Sequence, residues 1–214
     1  MTVYALQGDY LSECVYLVCE EGKALVVDPG TSAEKVLAEC HRLSVTPVAV
    51  LLTHGHADHA LGAAGLQRKG VKVYAHREEV PVISGKANLS IALGFSMEIF
   101  TPDVLVEDDD VLDLAPFTVK VIHTPGHTQG GVCYLTEDKL FTGDTLFPGS
   151  YGRTDFPTGD EQDLLCSIAN ALFELPPETE VYSGHGFAAS SAALCPPQTT
   201  IGEEYSTNPI LNLL

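Results

Sequence analysis

The chain has 214 residues, 45% hydrophobic and 19% charged, which suits one globular enzyme domain over residues 1–214 with ample core. Its formal net charge of −18, from 11 Lys and Arg against 29 Asp and Glu, speaks against a nucleic-acid surface, because phosphate recognition needs clustered cations. No apolar run reaches membrane-spanning length, and residues 1–6 lack the basic start and cleavage site of a secretion signal. The expectation is a cytoplasmic monomer or homodimer that works without membrane or nucleic acid. The six cysteines form no Cys-x-x-Cys pair and read as free thiols.

Residues 3–6, 13–19 and 24–28 read as strands, the last two joined through Glu20-Glu21-Gly22-Lys23 as a hairpin. Asp28-Pro29-Gly30 ends that hairpin. Ser32 caps a helix whose apolar face includes Val36, Leu37 and Cys40. His41 falls near its C-terminal end, where a cation suits the dipole, and reads as structural. Residues 46–52 form a buried β-branched strand, and residues 60–69 form an Ala/Leu-rich helix closed by Gly70. Between them stands Thr53-His54-Gly55-His56-Ala57-Asp58-His59.

Val71-Lys72-Val73-Tyr74 is a further short strand, and His76 reads as a cap or surface residue at the start of a short helix. Residues 84–100 read as a loop and short helix flanking the site. Glu107-Asp108-Asp109-Asp110 reads as a solvated turn between two strands, since it lacks the spacing of a calcium loop. A strand over 117–122 leads into His123-Thr124-Pro125-Gly126-His127-Thr128. Residues 132–135 and 139–142 form a hairpin that runs into Gly143-Asp144. Residues 160–173 make a helix capped by Asp160, with Leu164, Leu165, Ile168, Ala171 and Leu172 on its apolar face. A last strand, 180–182, precedes Ser183-Gly184-His185-Gly186. Residues 187–200 read as an exposed loop, and 201–205 as a helical turn ahead of Asn208-Pro209. Two runs of strands with attendant helices predict two similar halves whose strand-end loops meet at a shared edge.

Four of those loops carry metal-ligand chemistry: His54, His56, Asp58 and His59 in the first, then His127, Asp144 and His185. His54 and His56 are two apart, so in extended backbone their rings project to one side and can share a metal. Asp58 and His59 point differently, toward a second position; Asp58 has the alternative role of helix N-cap. Imidazole and carboxylate are the usual ligands of zinc and iron.

The series Thr-His-x-His-x-Asp-His, Gly-His-Thr, Thr-Gly-Asp and Gly-His-Gly resembles the metallo-β-lactamase-fold superfamily of hydrolases, from about residue 12 to residue 212. Residues 141–147, residues 149–157 with Gly-Arg-Thr-Asp-Phe-Pro, and the tail Thr200-Ile201-Gly202-Glu203-Glu204 with Asn208-Pro209 are similar to compact relatives of glyoxalase II, the hydroxyacylglutathione hydrolases. The expectation is a single domain without the long helical C-terminal domain that binds glutathione in the larger enzymes. An insertion over roughly 187–198 separates Gly-His-Gly from the tail.

The resemblance implies an α/β, four-layer αββα sandwich with metals at one edge. It implies that His54, His56 and His127 hold one divalent cation, that Asp58, His59 and His185 hold a second, and that Asp144 bridges them. Zinc is the first expectation, with iron or manganese as alternatives. It further implies hydrolysis of a small-molecule thioester by metal-bound hydroxide, oriented by the catalytic Asp58. Arg153 is the candidate contact for a substrate carboxylate, against an ion pair with Asp155. Tyr151 and Phe147 are candidates to line the pocket, against core packing, and Asn208 is expected to tie down the tail. The competing readings are a mononuclear-iron persulfide dioxygenase of the same superfamily, a lactonase and a non-catalytic metal-binding module.

Overall fold

The computed structural model describes residues 1–186 and 189–214. Its strands are β1 (Thr2–Gln7), β2 (Cys14–Glu20), β3 (Lys23–Val27), β4 (Thr46–Leu51), β5 (Lys72–His76), β6 (Val104–Val106), β7 (Val111–Leu114), β8 (Phe117–His123), β9 (Val132–Thr136), β10 (Lys139–Gly143), β11 (Leu146–Phe147), β12 (Ser150–Tyr151), β13 (Glu180–Ser183), β14 (Ala193–Leu194) and β15 (Thr199–Thr200). They build a seven-stranded sheet in the order β14-β1-β2-β3-β4-β5-β6, a six-stranded sheet in the order β15-β13-β10-β9-β8-β7, and the small hairpin β11-β12. The helices are α1 (Ala33–Arg42), α2 (Ala57–Ala60), α3 (Ala63–Arg68), α4 (Val80–Ser84), α5 (Ser90–Leu93), α6 (Glu161–Ser167) and α7 (Ile201–Thr207).

Alternation along each strand sorts apolar side chains to two faces. Cys14, Tyr16 and Val18 of β2 face the second sheet and pack in one cluster with Phe117, Val119, Val121, Tyr134, Phe141 and Tyr182. Val15 and Leu17, on the other face of β2, share a cluster with Val36 and Cys40 of α1 and Ala64 and Leu66 of α3. On the far side of the second sheet, Ile122, Cys133, Leu140 and Val181 pack with Leu164, Ile168 and Leu172 of α6 and its extension. The result is the expected helix–sheet–sheet–helix sandwich. With both faces covered, β2 is buried over its first six residues. β8 instead buries Phe117, Val119 and Val121 and exposes Thr118 and Lys120.

Three local expectations are corrected. The helix over 60–69 is two pieces, because α2 starts at Ala57 and the chain turns at Gly62 before α3. Gly62 N donates to Pro29 O at 2.8 Å, and a Cβ there would approach Thr31 O to 2.2 Å. Close approach of the loop after β3 therefore interrupts the helix where local propensity would continue it. His56 is the cap position of α2 and Asp58 lies inside its first turn, so Asp58 is not an N-cap. The exposed loop expected over 187–200 is also different: Phe187 and Ala188 lie outside the described residues, but Ala193–Leu194 pair with β1 and Thr199–Thr200 with β13. Ala192 and Cys195 are buried. Backbone pairing at the open edge of each sheet outweighs a turn-like composition.

The strand ends that matter are stapled across the sheets. Val132 N donates to Thr53 O at 2.8 Å and Tyr134 Oη to Leu52 O at 3.0 Å. Tyr16 Oη donates to Ser183 O at 2.6 Å, and Cys14 N to Gly184 O at 2.8 Å.

The tail acts as a second staple, under the β11-β12 hairpin. Glu204 is buried and accepts from Gly149 N (2.9 Å), Asn208 Nδ2 (2.7 Å) and Thr199 Oγ1 (2.7 Å). Asn208 Nδ2 also donates to Ser150 O at 2.9 Å, which agrees with a tail-anchoring role. Glu204→Ala removes the acceptor that joins Gly149, Asn208 and Thr199 and is expected to cost about 1–3 kcal/mol of stability, read as a lower denaturant midpoint at unchanged m. A loss within about 0.5 kcal/mol, the range of an ordinary surface change, contradicts the staple.

Candidate metal centre

Every metal-ligand candidate sits just past the C-terminal end of a strand: residues 54–59 after β4, His127 after β8, Asp144 after β10 and His185 after β13. The seven side chains converge. Donor atoms of His54, His56 and His127 lie within 4.8 Å of one another, and so do those of Asp58, His59 and His185. Asp144 stands between the two groups, with Oδ1 at 3.4 Å from His59 Nε2 and Oδ2 at 3.5 Å from His127 Nε2 and 3.3 Å from His185 Nε2. Asp58 Oδ2 lies 3.8 Å from His185 Nε2 and 3.9 Å from His59 Nε2.

The donor atoms suit cations better than one another. His56 Nδ1 faces His127 Nε2 at 3.0 Å, and His59 Nε2 faces His185 Nε2 at 3.3 Å. His54 Nε2 and Asp144 Oδ1 are buried without a hydrogen-bond partner. Orphaned donors and acceptors are costly unless something satisfies them. Burial, then the neighbouring histidine charges, hold His54 and His56 well below the usual histidine range. Burial opposes the charge on Asp144, but His59, His185 and His127 outweigh it and hold the carboxyl well below its usual range. Neutral imidazoles beside an ionised carboxylate are the protonation states a divalent cation requires. On donor chemistry and on these orphaned atoms, the residues fit a metal site.

An outer ring of partners sets the imidazole tautomers. Thr53 Oγ1 donates to Asp28 Oδ2 at 2.6 Å, so it accepts from His54 Nδ1 at 3.0 Å, and His54 Nε2 is left as the lone-pair donor. Asp28 also accepts from Thr53 N at 2.7 Å and lies 3.1 Å from His59 Nδ1. His127 Nδ1 donates to Arg153 O at 2.7 Å, and His185 Nδ1 to Leu11 O at 3.0 Å. Such contacts orient metal-ligating histidines and raise their basicity. Glu79 is buried, its carboxyl pushed up to about 7 by burial, and accepts from Gly55 N at 2.5 Å and Gly130 N at 2.9 Å. It ties the loop of His54 and His56 to the loop of His127.

Sequence reasoning missed Asp28 and Glu79 as parts of this site. Asp28 had a signal, an Asp-Pro-Gly at a strand end like that of the ligand loops. Glu79 had none, because it acts on backbone amides brought to it from elsewhere in the chain.

The centre floors a cavity of about 460 Å³. His56, Asp58, His127, Asp144 and His185 line its base; Leu11, Leu89, Leu93, Phe147 and Phe156 make an apolar collar, with Tyr151 and Arg153 at the wall. Arg153 makes the ion pair with Asp155 that one of its two sequence readings expected. It forks onto Asp155 at 2.6 Å for each contact, and its guanidinium lies 3.9 Å over the Phe156 ring, beside the cavity.

The profile of the Metallo-beta-lactamase superfamily matches residues 11–185. Hydroxyacylglutathione hydrolase GloC of Haemophilus influenzae is 33% identical over 95% of this chain and 94% of its own length. Among solved structures, the BLEG-1 B3 metallo-beta-lactamase is 36% identical with a TM-score of 0.86, covering 97% of this chain and 98% of its own. TTHA1623 in a di-iron-bound form is 35% identical with a TM-score of 0.80, covering 96% and 98%. Profile, relatives and fold agree: this chain belongs to the metallo-beta-lactamase superfamily.

Proposed function

We propose that this member of a hydrolase family cleaves small-molecule thioesters at the seven-residue centre. The observation that carries the reading is the convergence of two three-residue donor groups on a shared Asp144, at the floor of an apolar cavity. His54, His56 and His127 would hold one divalent cation, Asp58, His59 and His185 the second, and Asp144 both. Zinc is the metal proposed first; the di-iron form of TTHA1623 supports iron as the alternative. When bound, such ions lower the pKa of water to about 7 and polarise a carbonyl.

The chain's own residues then do the following. Asp58, whose carboxylate faces the cavity, accepts a hydrogen from the attacking water and aims its oxygen at the thioester carbon. Water adds, the carbon–sulfur bond breaks, and the products are a carboxylic acid and a thiol. Among the described residues no cysteine lines the cavity, and burial pushes the Cys133 and Cys195 thiols up to about 12, so a thiolate nucleophile has no support. The collar of Leu11, Leu89, Leu93, Phe147 and Phe156 excludes water and suits an apolar part of the substrate. Arg153 can meet a carboxylate on the thiol half by exchanging its fork from Asp155. The relation to GloC makes a hydroxyacylglutathione the first substrate to assay, and the relation to BLEG-1 makes a β-lactam the second.

Purified protein is expected to carry about two metal ions per chain and to hydrolyse S-lactoylglutathione, with both lost on chelation. Oxygen uptake with glutathione persulfide at a single iron, without thioester cleavage, replaces this reading with the dioxygenase. In a metal-replete sample, Asp58→Ala is expected to lower kcat by about 100-fold or more with little change in KM; equal damage to both removes Asp58 from the chemical step. Arg153→Ala is expected to raise KM about tenfold for thioesters of carboxylate-bearing thiols, at near-constant kcat. An unchanged KM leaves Arg153 as the structural partner of Asp155.

A further inference from the structure

A second set of donors lies outside this centre, where the two sheets meet at the ends of β5 and β8. His76 closes β5 and His123 closes β8, and their rings stack with centroids 4.1 Å apart and 16° between planes. Glu78 stands in the turn that follows His76. One ligating atom from each of His76, Glu78 and His123 lies within 4.8 Å of the other two. The acidic turn between β6 and β7 borders the group. Asp108 Oδ1 accepts from His123 N at 2.8 Å, while Glu107 is engaged by Arg77 at 2.7 Å.

The hydrogen bonding leaves donors available. His123 Nε2 faces Gln129 O at 3.1 Å, and a ring nitrogen against a carbonyl carries the proton. Its Nδ1 is then the lone-pair atom, the outer-bond arrangement found at metal-ligating histidines. His76 is buried, and burial, then the His123 charge, keep its ring below the usual histidine range. The cap it makes to Glu78 N is long, at 3.4 Å. Glu78 is exposed, so an ion has a path in. To converge on one ion the stacked rings must splay, and the terminal torsion of histidine is soft.

We propose that His76, His123 and Glu78 form a further binding site for a borderline transition-metal ion such as zinc, completed by water. Two imidazoles and one carboxylate favour such an ion over calcium or magnesium, which prefer all-oxygen shells. The site stands behind the main centre. Gln129 Nε2 donates to Glu78 O at 3.1 Å, and the next residue, Glu79, holds the Gly55 and Gly130 amides of the two ligand loops. An ion here tightens the segment that carries those loops, so its effect on turnover is modulatory.

The test is zinc binding to protein already saturated at its tight sites and desalted, followed by calorimetry and metal analysis. Wild type is expected to take up one further zinc per chain. His123→Ala is expected to weaken that step at least about tenfold while keeping the tightly held metal. Glu78→Gln keeps shape and backbone contacts, and is expected to weaken the step as well; it decides the matter if His123→Ala fails to fold. No uptake beyond the tightly held metal overturns the site, and so does wild-type affinity in both variants.

Discussion

The structure is organised around an electrostatic demand. Asp28, Asp58 and Asp144 and five imidazoles share one buried corner, with ring nitrogens 3.0–3.3 Å apart and a carboxylate oxygen left without a partner. In low dielectric such groups cannot all keep ordinary protonation states. His59 illustrates the strain: burial works against its charge, yet Asp144, Asp58 and Asp28 raise it to about 10. A bound divalent cation would resolve this by taking the place of protons. The corner is therefore a site whose rest state depends on what fills it.

Holding such a corner together requires rigid strands. At the ligand loops, backbone and tyrosine hydrogen bonds join strand ends of the two facing sheets, so loops from β4, β10 and β13 cannot drift apart independently. Close approach is part of the design. Gly143 sits at φ +49°, and a Cβ there would come 2.2 Å from Thr53 Oγ1. That hydroxyl links Asp28 to His54, so a side chain at 143 would collide with the group that sets the His54 tautomer. Packing and chemistry are constrained by the same atoms.

The cavity wall is built from other segments. It draws on segments beyond the sandwich core, including Leu89, which takes φ +65° ahead of α5, and the β11-β12 hairpin held by Glu204 and Asn208. This division separates reactivity from selectivity. The sheet edge fixes the donors, while short elements laid over it shape what reaches them.

The candidate ligand residues and the strand pattern were legible because each is local, whereas the four-layer architecture was expected from the resemblance that the motif series carries. Histidines at i and i+2 after an apolar run announce themselves, and period-2 alternation marks the strands. Other features were not local. Gly62 breaks a helix because of a distant carbonyl, Ala193–Leu194 and Thr199–Thr200 become strands because sheet edges offer partners, and Glu79 matters only through amides of residues 24 and 51 positions away. The His76–His123 stack likewise joins residues whose sequence neighbourhoods point to cap and loop. By itself, the sequence determined which residues could ligate and which segments could be strands, since these follow from side-chain chemistry and short-range periodicity. Only the tertiary structure decided which tautomer each ring takes and which acid stands behind it, because those depend on contacts between segments far apart in the chain.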